Sequence, residues 1–179
     1  MKRLFLPLIL FLFVVLEGLA LELLPSKLVM GHLLIIPHWV LVFLVFLAIF
    51  YDNENTYYSV LYGLIFGLLI DVVYTGILGV YMFSYALVIY VLHGLKKMLH
   101  GNIYVTFILG VIGIAFADIL VNFIYTMVGL TDTAWIDYFT YRLLPTIILN
   151  VVFLFLLYPL FVKRLIRWNS EQLSKSNSL

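Results

Sequence analysis

The stretch GLIFGLLID, residues 63–71, decides the fold of this chain. It lies within the apolar segment 57–74, which approaches the length of about 20 residues that an α-helix needs to cross a bilayer. Small or acidic residues recur at every fourth position on one helical face, at Ser59, Gly63, Gly67, Asp71 and Thr75. Such a face lets a second helix approach closely. The pattern therefore predicts a membrane helix with Asp71 in a helix–helix interface.

The composition of the whole chain points to the same class of protein. Of the 179 residues, 65% are hydrophobic and only 11% are charged, whereas soluble proteins carry about 25% charged residues. The net charge of +1 gives no strongly basic surface for nucleic acid. The chain has no cysteine, which excludes disulfides and Cys-ligated metal sites. The composition predicts an integral membrane protein.

Outward from residues 63–71, polar interruptions divide the chain into six apolar segments. They are residues 4–24, 33–51, 57–74, 77–95, 103–130 and 143–162. None alternates with a period of two, so they are predicted as helices and not as strands of a barrel. The prediction is an all-α, single-domain membrane protein with six spans over residues 1–170, followed by a disordered cytoplasmic tail, residues 171–179.

The distribution of basic residues predicts the orientation of these spans, because cytoplasmic loops carry the excess of Lys and Arg. With both termini in the cytoplasm, only Lys27 and Arg142 lie outside. Eight basic residues then lie inside: Lys2, Arg3, Lys96, Lys97, Lys163, Arg164, Arg167 and Lys175. Lys163, Arg164, Arg167 and Trp168 form a basic, aromatic turn at the inner end of the sixth span, predicted to anchor the chain to lipid headgroups.

Inserting an ionisable residue into a membrane span costs about 2.5–3.5 kcal/mol of free energy, so each such residue is expected to have a structural or functional role. Glu22 lies close enough to the outer surface to reach water. Glu17 lies deeper, and for it a buried polar contact and a functional role are equally compatible with the sequence. Asp71 is predicted to accept hydrogen bonds from a neighbouring helix. Asp118 has Asn122 one turn later, and Asn150 of the sixth span could complete a polar cluster with them.

The longest predicted outer connection, residues 131–142, contains Trp135, Tyr138, Phe139 and Arg142 at the spacing of one helical face. It is predicted to form a short helix on the outer surface. His32 and His38 lie in the outer half of the second span, whereas His93 and His100 lie at the inner side, so no histidine metal set is expected. No catalytic motif is present, and neither a cofactor nor a catalytic residue is predicted.

The stretch 63–71, followed by Gly76 and Gly79, resembles the central signature of the rod shape-determining protein MreD family. The run from Arg142 through Pro145 and Asn150 to residues 157–160 is similar to that family's last span. This resemblance implies a multi-pass scaffold of the bacterial plasma membrane, without catalysis, that supports lateral-wall peptidoglycan synthesis. It implies MreC as partner and, through MreC, the MreB filament and RodA with its transpeptidase.

The family's fold is similar to the S components of energy-coupling-factor vitamin transporters, so an S-component-like bundle is expected. This similarity supplies the alternative function, a small-solute binding subunit in which Asp118, Asn122 and aromatic residues line an outward pocket. An intramembrane enzyme is the weakest alternative, since the ionisable residues are spread over both sides of the membrane. The candidates for helix packing and partner contact are Gly63, Gly67, Asp71, Gly76, Gly79, Asp118, Asn122, Trp135, Arg142, Pro145 and Asn150.

Overall fold

The described residues, 4–23, 33–99 and 102–176 of a computed structural model, contain six helices. Helices α1 to α5 are Phe5–Leu23, Trp39–Tyr51, Tyr58–Thr75, Val80–Lys96 and Ile103–Met127. Helix α6 consists of Trp135–Asp137, Tyr138–Leu143 and Leu144–Ser176. Lys2, Arg3, Lys27, His32 and His100 lie outside the described residues, as do the side chains of Glu22 and Lys175.

The predicted all-α class and the number of helices are confirmed in the described part of the chain, but the helix lengths differ from the prediction. There, α3, α5 and α6 are long and apolar enough to cross a membrane, whereas the other three helices contribute shorter apolar stretches, Phe5–Ala20, Trp39–Tyr51 and Val80–Lys96. Two predicted spans are shortened at their first residues, because residues 33–38 and 76–79 adopt non-helical backbone.

The second predicted span, residues 33–51, is helical only from Trp39, so the prediction for its first six residues was wrong. Pro37 explains the break, since proline has no backbone N–H and disfavours helical backbone at the residue before it. The remaining helix is apolar on all sides, and Val40 to Leu47 are fully buried. Helix α2 contacts all five other described helices and forms the centre of the bundle.

Helices α2, α3 and α6 each contain a segment of wide, π-helical turns, at Leu47–Tyr51, Asp71–Thr75 and Tyr138–Leu143. Such turns add a residue to the helix and often occur at functional sites. Those of α3 and α6 include two residues that the sequence singles out, Asp71 and Arg142.

The predicted surface helix within residues 131–142 is instead the beginning of α6. The helix starts at Trp135 and continues into the last span. Tyr138 is only 1% exposed, because its face of the helix packs against the bundle while Trp135 and Ile136 remain exposed. At its other end α6 continues to Ser176, so residues 171–176 of the predicted tail, residues 171–179, are helical.

Candidate functional site

The signature around residues 63–71 forms a tight hairpin between α3 and α4. A methyl group added at Gly67 would lie 2.7 Å from the Met82 Cα and from the Tyr81 carbonyl oxygen. At Gly63 the nearest atom would be the Ala86 Cα, 3.4 Å away. The glycine face of α3 is therefore occupied by the backbone of α4, and of these two glycines Gly67 lies closer to it.

Asp71 joins the same two helices by hydrogen bonds. Its carboxylate accepts from the backbone N–H groups of Gly79 at 2.9 Å, Tyr81 at 2.9 Å and Met82 at 3.1 Å. These groups belong to the beginning of α4, where a helix has N–H groups without partners and a partial positive charge. The fully buried Asp71 thus acts as an N-terminal cap supplied by the preceding helix.

The turn between α3 and α4 depends on two glycines of the signature. Gly76 has φ +68° and Gly79 has φ +102°, a left-handed region that side chains with a Cβ rarely adopt. Gly76 N–H closes the last turn of α3 on the Asp71 carbonyl, at 2.9 Å. The spacing of Gly67, Asp71, Gly76 and Gly79 therefore encodes one hairpin: a close approach, a cap and a turn.

Two further acids cap helices in the same way. The Glu17 carboxylate accepts from the Val40 N–H of α2 at 2.8 Å. Asp52 accepts from the backbone N–H of Ser59, at 2.9 Å, and from its hydroxyl, at the beginning of α3. Burial raises the pKa of the Asp52 carboxyl, whereas its hydrogen bonds to Ser59 and the charge of Lys96 act to lower that pKa. These three buried acids therefore act mainly as hydrogen-bond acceptors at the N-terminal ends of helices.

Asp118, near the middle of the fifth predicted span, has a different environment, a cluster of charged and phenolic side chains. Arg142 donates to its Oδ1 from Nη2 at 3.1 Å and from Nε at 3.3 Å, and Tyr138 donates to its Oδ2 at 2.7 Å. His38 Nε2 lies 3.5 Å from Oδ1. Because Asp118 is fully buried and Arg142 nearly so, this is a buried ion pair between α5 and the π-helical segment of α6.

His38 extends this cluster to α4 and to the extended segment 33–38. Its Nδ1 is 2.8 Å from the Tyr85 hydroxyl, and its backbone N–H donates to Asn150 Oδ1 at 2.7 Å. Asn150 also donates to the Ile36 carbonyl at 2.8 Å, and the Ile36 N–H donates to the Thr146 hydroxyl at 3.1 Å. Non-helical backbone at membrane depth requires such partners, which α6 supplies.

Sequence reasoning brought Asp118, Arg142 and Asn150 forward but missed three members of this cluster, His38, Tyr85 and Tyr138. Tyr138 was treated as a surface residue. The available signal for His38 was its position directly after Pro37, where the helix has to break and a polar side chain can meet exposed backbone groups.

The remaining predicted residues occupy different places. Asn122 is buried beside a cavity, and half-exposed Trp135 packs edge-on against the Tyr138 ring, with centroids 5.9 Å apart. Pro145 follows the π-helical segment of α6. At the predicted inner end, the Trp168 ring stacks on Phe5 at 6.5 Å. The three basic residues beside it, Lys163, Arg164 and Arg167, are exposed.

Two cavities lie beside segment 33–38. One, of about 390 Å³, is lined by residues that include Glu17, Pro37, Tyr81 and Thr131. The other, of about 440 Å³, includes Asn122, Thr131 and Arg142 among its lining residues. Within the described ranges, no three His, Asp or Glu side chains come together as a metal site would require.

Comparison with known proteins shows the family of the chain. The family model of the rod shape-determining protein MreD matches residues 2–167. The chain belongs to the MreD family. The Bacillus subtilis (strain 168) rod shape-determining protein MreD is 29% identical over 151 residues, which cover 84% of this chain and 86% of that protein. No solved structure matches the chain. The resemblance to MreD inferred from residues 63–79 is confirmed, and with it a rod-shape-determining membrane protein.

Proposed function

We propose that this protein is a non-enzymatic scaffold of the cell-elongation machinery in the bacterial plasma membrane. In this proposal it binds MreC and, through MreC, the MreB filament and RodA with its transpeptidase, and thereby supports lateral-wall peptidoglycan synthesis. The observation that carries the proposal is the match of the MreD family model to nearly the whole chain.

The arrangement of buried polar groups supports a structural role. Glu17, Asp52 and Asp71 are bonded to the beginnings of helices, and Asp118 is bonded to Arg142 and Tyr138. A general acid or base needs a position within reach of a substrate. Asp71 and Asp118 are fully enclosed, which favours a role in holding helices together.

Depletion of the protein from a rod-shaped host that has no second copy should give widened or round cells. The reason is that lateral-wall synthesis would lose its membrane scaffold. Cell width and length measured by microscopy over several generations check this prediction, with re-expression of the intact chain as the control. Rod shape maintained at full depletion would contradict the proposed function.

We further propose that all six helices cross the membrane and that both termini are cytoplasmic. The 8 α-helical and 5 π-helical residues of α2 rise about 20 Å. The extended segment 33–38 adds about 3.3 Å per residue, so α2 and this segment together can cover about 30 Å of hydrocarbon. A broken span of this kind supports six crossings despite the short helix.

The absence of cysteine makes this topology directly measurable. In intact cells whose outer surface is accessible, a membrane-impermeant maleimide should label Thr133→Cys but not Asn55→Cys or Ser174→Cys. The latter two should react only after the membrane is opened, because they would lie inside. Labelling of Asn55→Cys and Ser174→Cys in intact cells, with Thr133→Cys protected, would reverse the proposed orientation. Labelling of only one of those two in intact cells would contradict six crossings.

The glycine faces are occupied within the chain, which restricts where a partner can bind. Gly63 and Gly67 face α4, while a methyl group at Gly110 would collide with Leu154 and one at Gly113 would lie 2.8 Å from Leu92. We therefore propose that MreC contacts a face of the bundle that does not include these glycines.

The solute-binding alternative predicted that Asp118 and Asn122 line one pocket. Asn122 does line a cavity, but the Asp118 carboxylate is fully buried beneath Arg142 and Tyr138. The arrangement of Asp118 therefore favours the scaffold over the vitamin-binding subunit.

A further inference from the structure

The cavity of about 390 Å³ beside segment 33–38 combines one carboxylate with three phenol rings. Glu17 of α1 contributes the carboxylate, and Tyr74, Tyr81 and Tyr125 contribute the rings; Thr75 and Thr131 also line the cavity. Its volume lies within the range of about 300–1,000 Å³ that is usual for small-ligand pockets. Glu17 is the acid whose role the sequence leaves open.

Glu17 differs from Asp118 in its electrostatic environment. Its side chain is only 4% exposed and accepts a hydrogen bond from the Val40 N–H at 2.8 Å. Asp118 has Arg142 as a counter-ion, but among the described residues no basic side chain forms an ion pair with Glu17. The beginning of α2 supplies about half a positive charge. Without a counter-ion such a buried carboxyl holds a proton, which a cation in the cavity would replace.

The walls of the cavity favour an organic cation. Aromatic faces attract ammonium groups through their quadrupole, and a neighbouring carboxylate adds a charge-assisted hydrogen bond to a primary ammonium. The Tyr74 hydroxyl donates to the Val14 carbonyl at 2.7 Å, which ties the Tyr74 side chain to α1, the helix that carries Glu17. Apolar residues such as Ile36 and Ile77 complete the lining and suit the carbon atoms next to the nitrogen.

We propose that this cavity binds a primary ammonium group, with Glu17 as its counter-ion and the tyrosine rings as its walls. The group can be presented by a lipid headgroup of the ethanolamine type or by a small soluble amine. The site is formed by α1, α3, α4 and α5 together with segment 33–38, and ammonium binding there does not depend on the proposed MreC contact.

Thermal unfolding of the full chain in nanodiscs tests the proposal. The probes are phosphatidylethanolamine mixed into phosphatidylcholine discs, and ethanolamine added to pure phosphatidylcholine discs. At tenfold excess over its dissociation constant, a bound probe should raise Tm by about 3–6 °C. A shift with the lipid alone identifies a headgroup site, and a shift with ethanolamine identifies a site open to soluble amines. No shift with either probe overturns the proposal.

The variant Glu17→Gln removes the charge of Glu17 but keeps an oxygen that can cap the beginning of α2. The glutamine side-chain oxygen can still accept from the Val40 N–H, so the variant should fold, but it has no charge to hold an ammonium group. We expect the Tm shift to be lost in Glu17→Gln and retained in the control Asp137→Asn, which removes a carboxylate lining the neighbouring cavity. An equal shift in Glu17→Gln and the unaltered chain overturns the proposal.

A second pair of variants keeps the test informative if Glu17→Gln fails to fold. Tyr125→Phe retains the ring in the cavity and should retain the shift, whereas Tyr125→Leu removes the ring and should reduce it by at least half. Equal shifts in these two variants would exclude the ring as a wall of the site and overturn the proposal.

Discussion

Replacement of Arg142 by leucine should lower the free energy of unfolding by about 3–5 kcal/mol, because it leaves the Asp118 carboxylate buried without its counter-ion. Asp118 is 0% exposed, and Arg142 donates two hydrogen bonds to it. The measurement is unfolding of the purified protein in detergent by titration with a denaturing surfactant.

The matched control is Arg164→Leu, which removes an exposed arginine from the same helix and should change stability by less than about 1 kcal/mol. A double variant, Asp118→Leu with Arg142→Leu, should be more stable than Arg142→Leu alone, since no buried charge remains. If the single arginine variant is as stable as the Arg164 control, the ion pair does not hold α5 and α6 together.

Replacement of Gly67 by leucine should prevent accumulation of folded protein. Any Cβ at this position would lie 2.7 Å from backbone atoms of α4, which can move only if the hairpin separates. Even Gly67→Ala should lower the free energy of unfolding by about 1–3 kcal/mol, the usual range for an overpacked interior. The measurement is the yield of monodisperse protein after extraction, together with its unfolding free energy.

Two other glycines provide graded controls. Gly94→Ala places its methyl group where no atom lies within 4 Å, and it should be neutral or slightly stabilising because alanine favours the helix. Gly63→Ala, with its nearest neighbour at 3.4 Å, should lie between Gly94→Ala and Gly67→Ala. Folded Gly67→Leu that no longer co-purifies with MreC would instead place the partner, and not α4, against this glycine.

The membrane class and the hairpin signature could be predicted from sequence because they depend on local patterns. Runs of apolar residues define membrane helices, and the four-residue spacing from Gly63 to Asp71 defines one face of α3. Pro37 lies within the second predicted span, at a position where proline disfavours helix. The extent of the non-helical segment, residues 33–38, could not be predicted from sequence, because it depends on hydrogen bonds with Thr146 and Asn150, more than 100 residues away.

The partners of Asp118 in the polar cluster could not be predicted from local sequence patterns. Asp118 and Asn122, one turn apart, were predicted to share partners, but Asp118 is bonded to residues from α6 and lies next to His38. Helical spacing shows which side chains share a face and leaves open which helix they meet. Tyr138 and Arg142 lie in the π-helical segment of α6, and not in a separate surface helix, and both donate hydrogen bonds to Asp118.

The sequence by itself determined that this chain is a helical membrane protein of the MreD family, because hydrophobic length and a glycine-aspartate spacing are properties of the chain alone. Only the tertiary structure decided the role of each buried acid. Glu17, Asp52 and Asp71 cap helices, whereas Asp118 pairs with Arg142. A buried charge needs a nearby donor or counter-ion, and packing of distant segments determines which one is present.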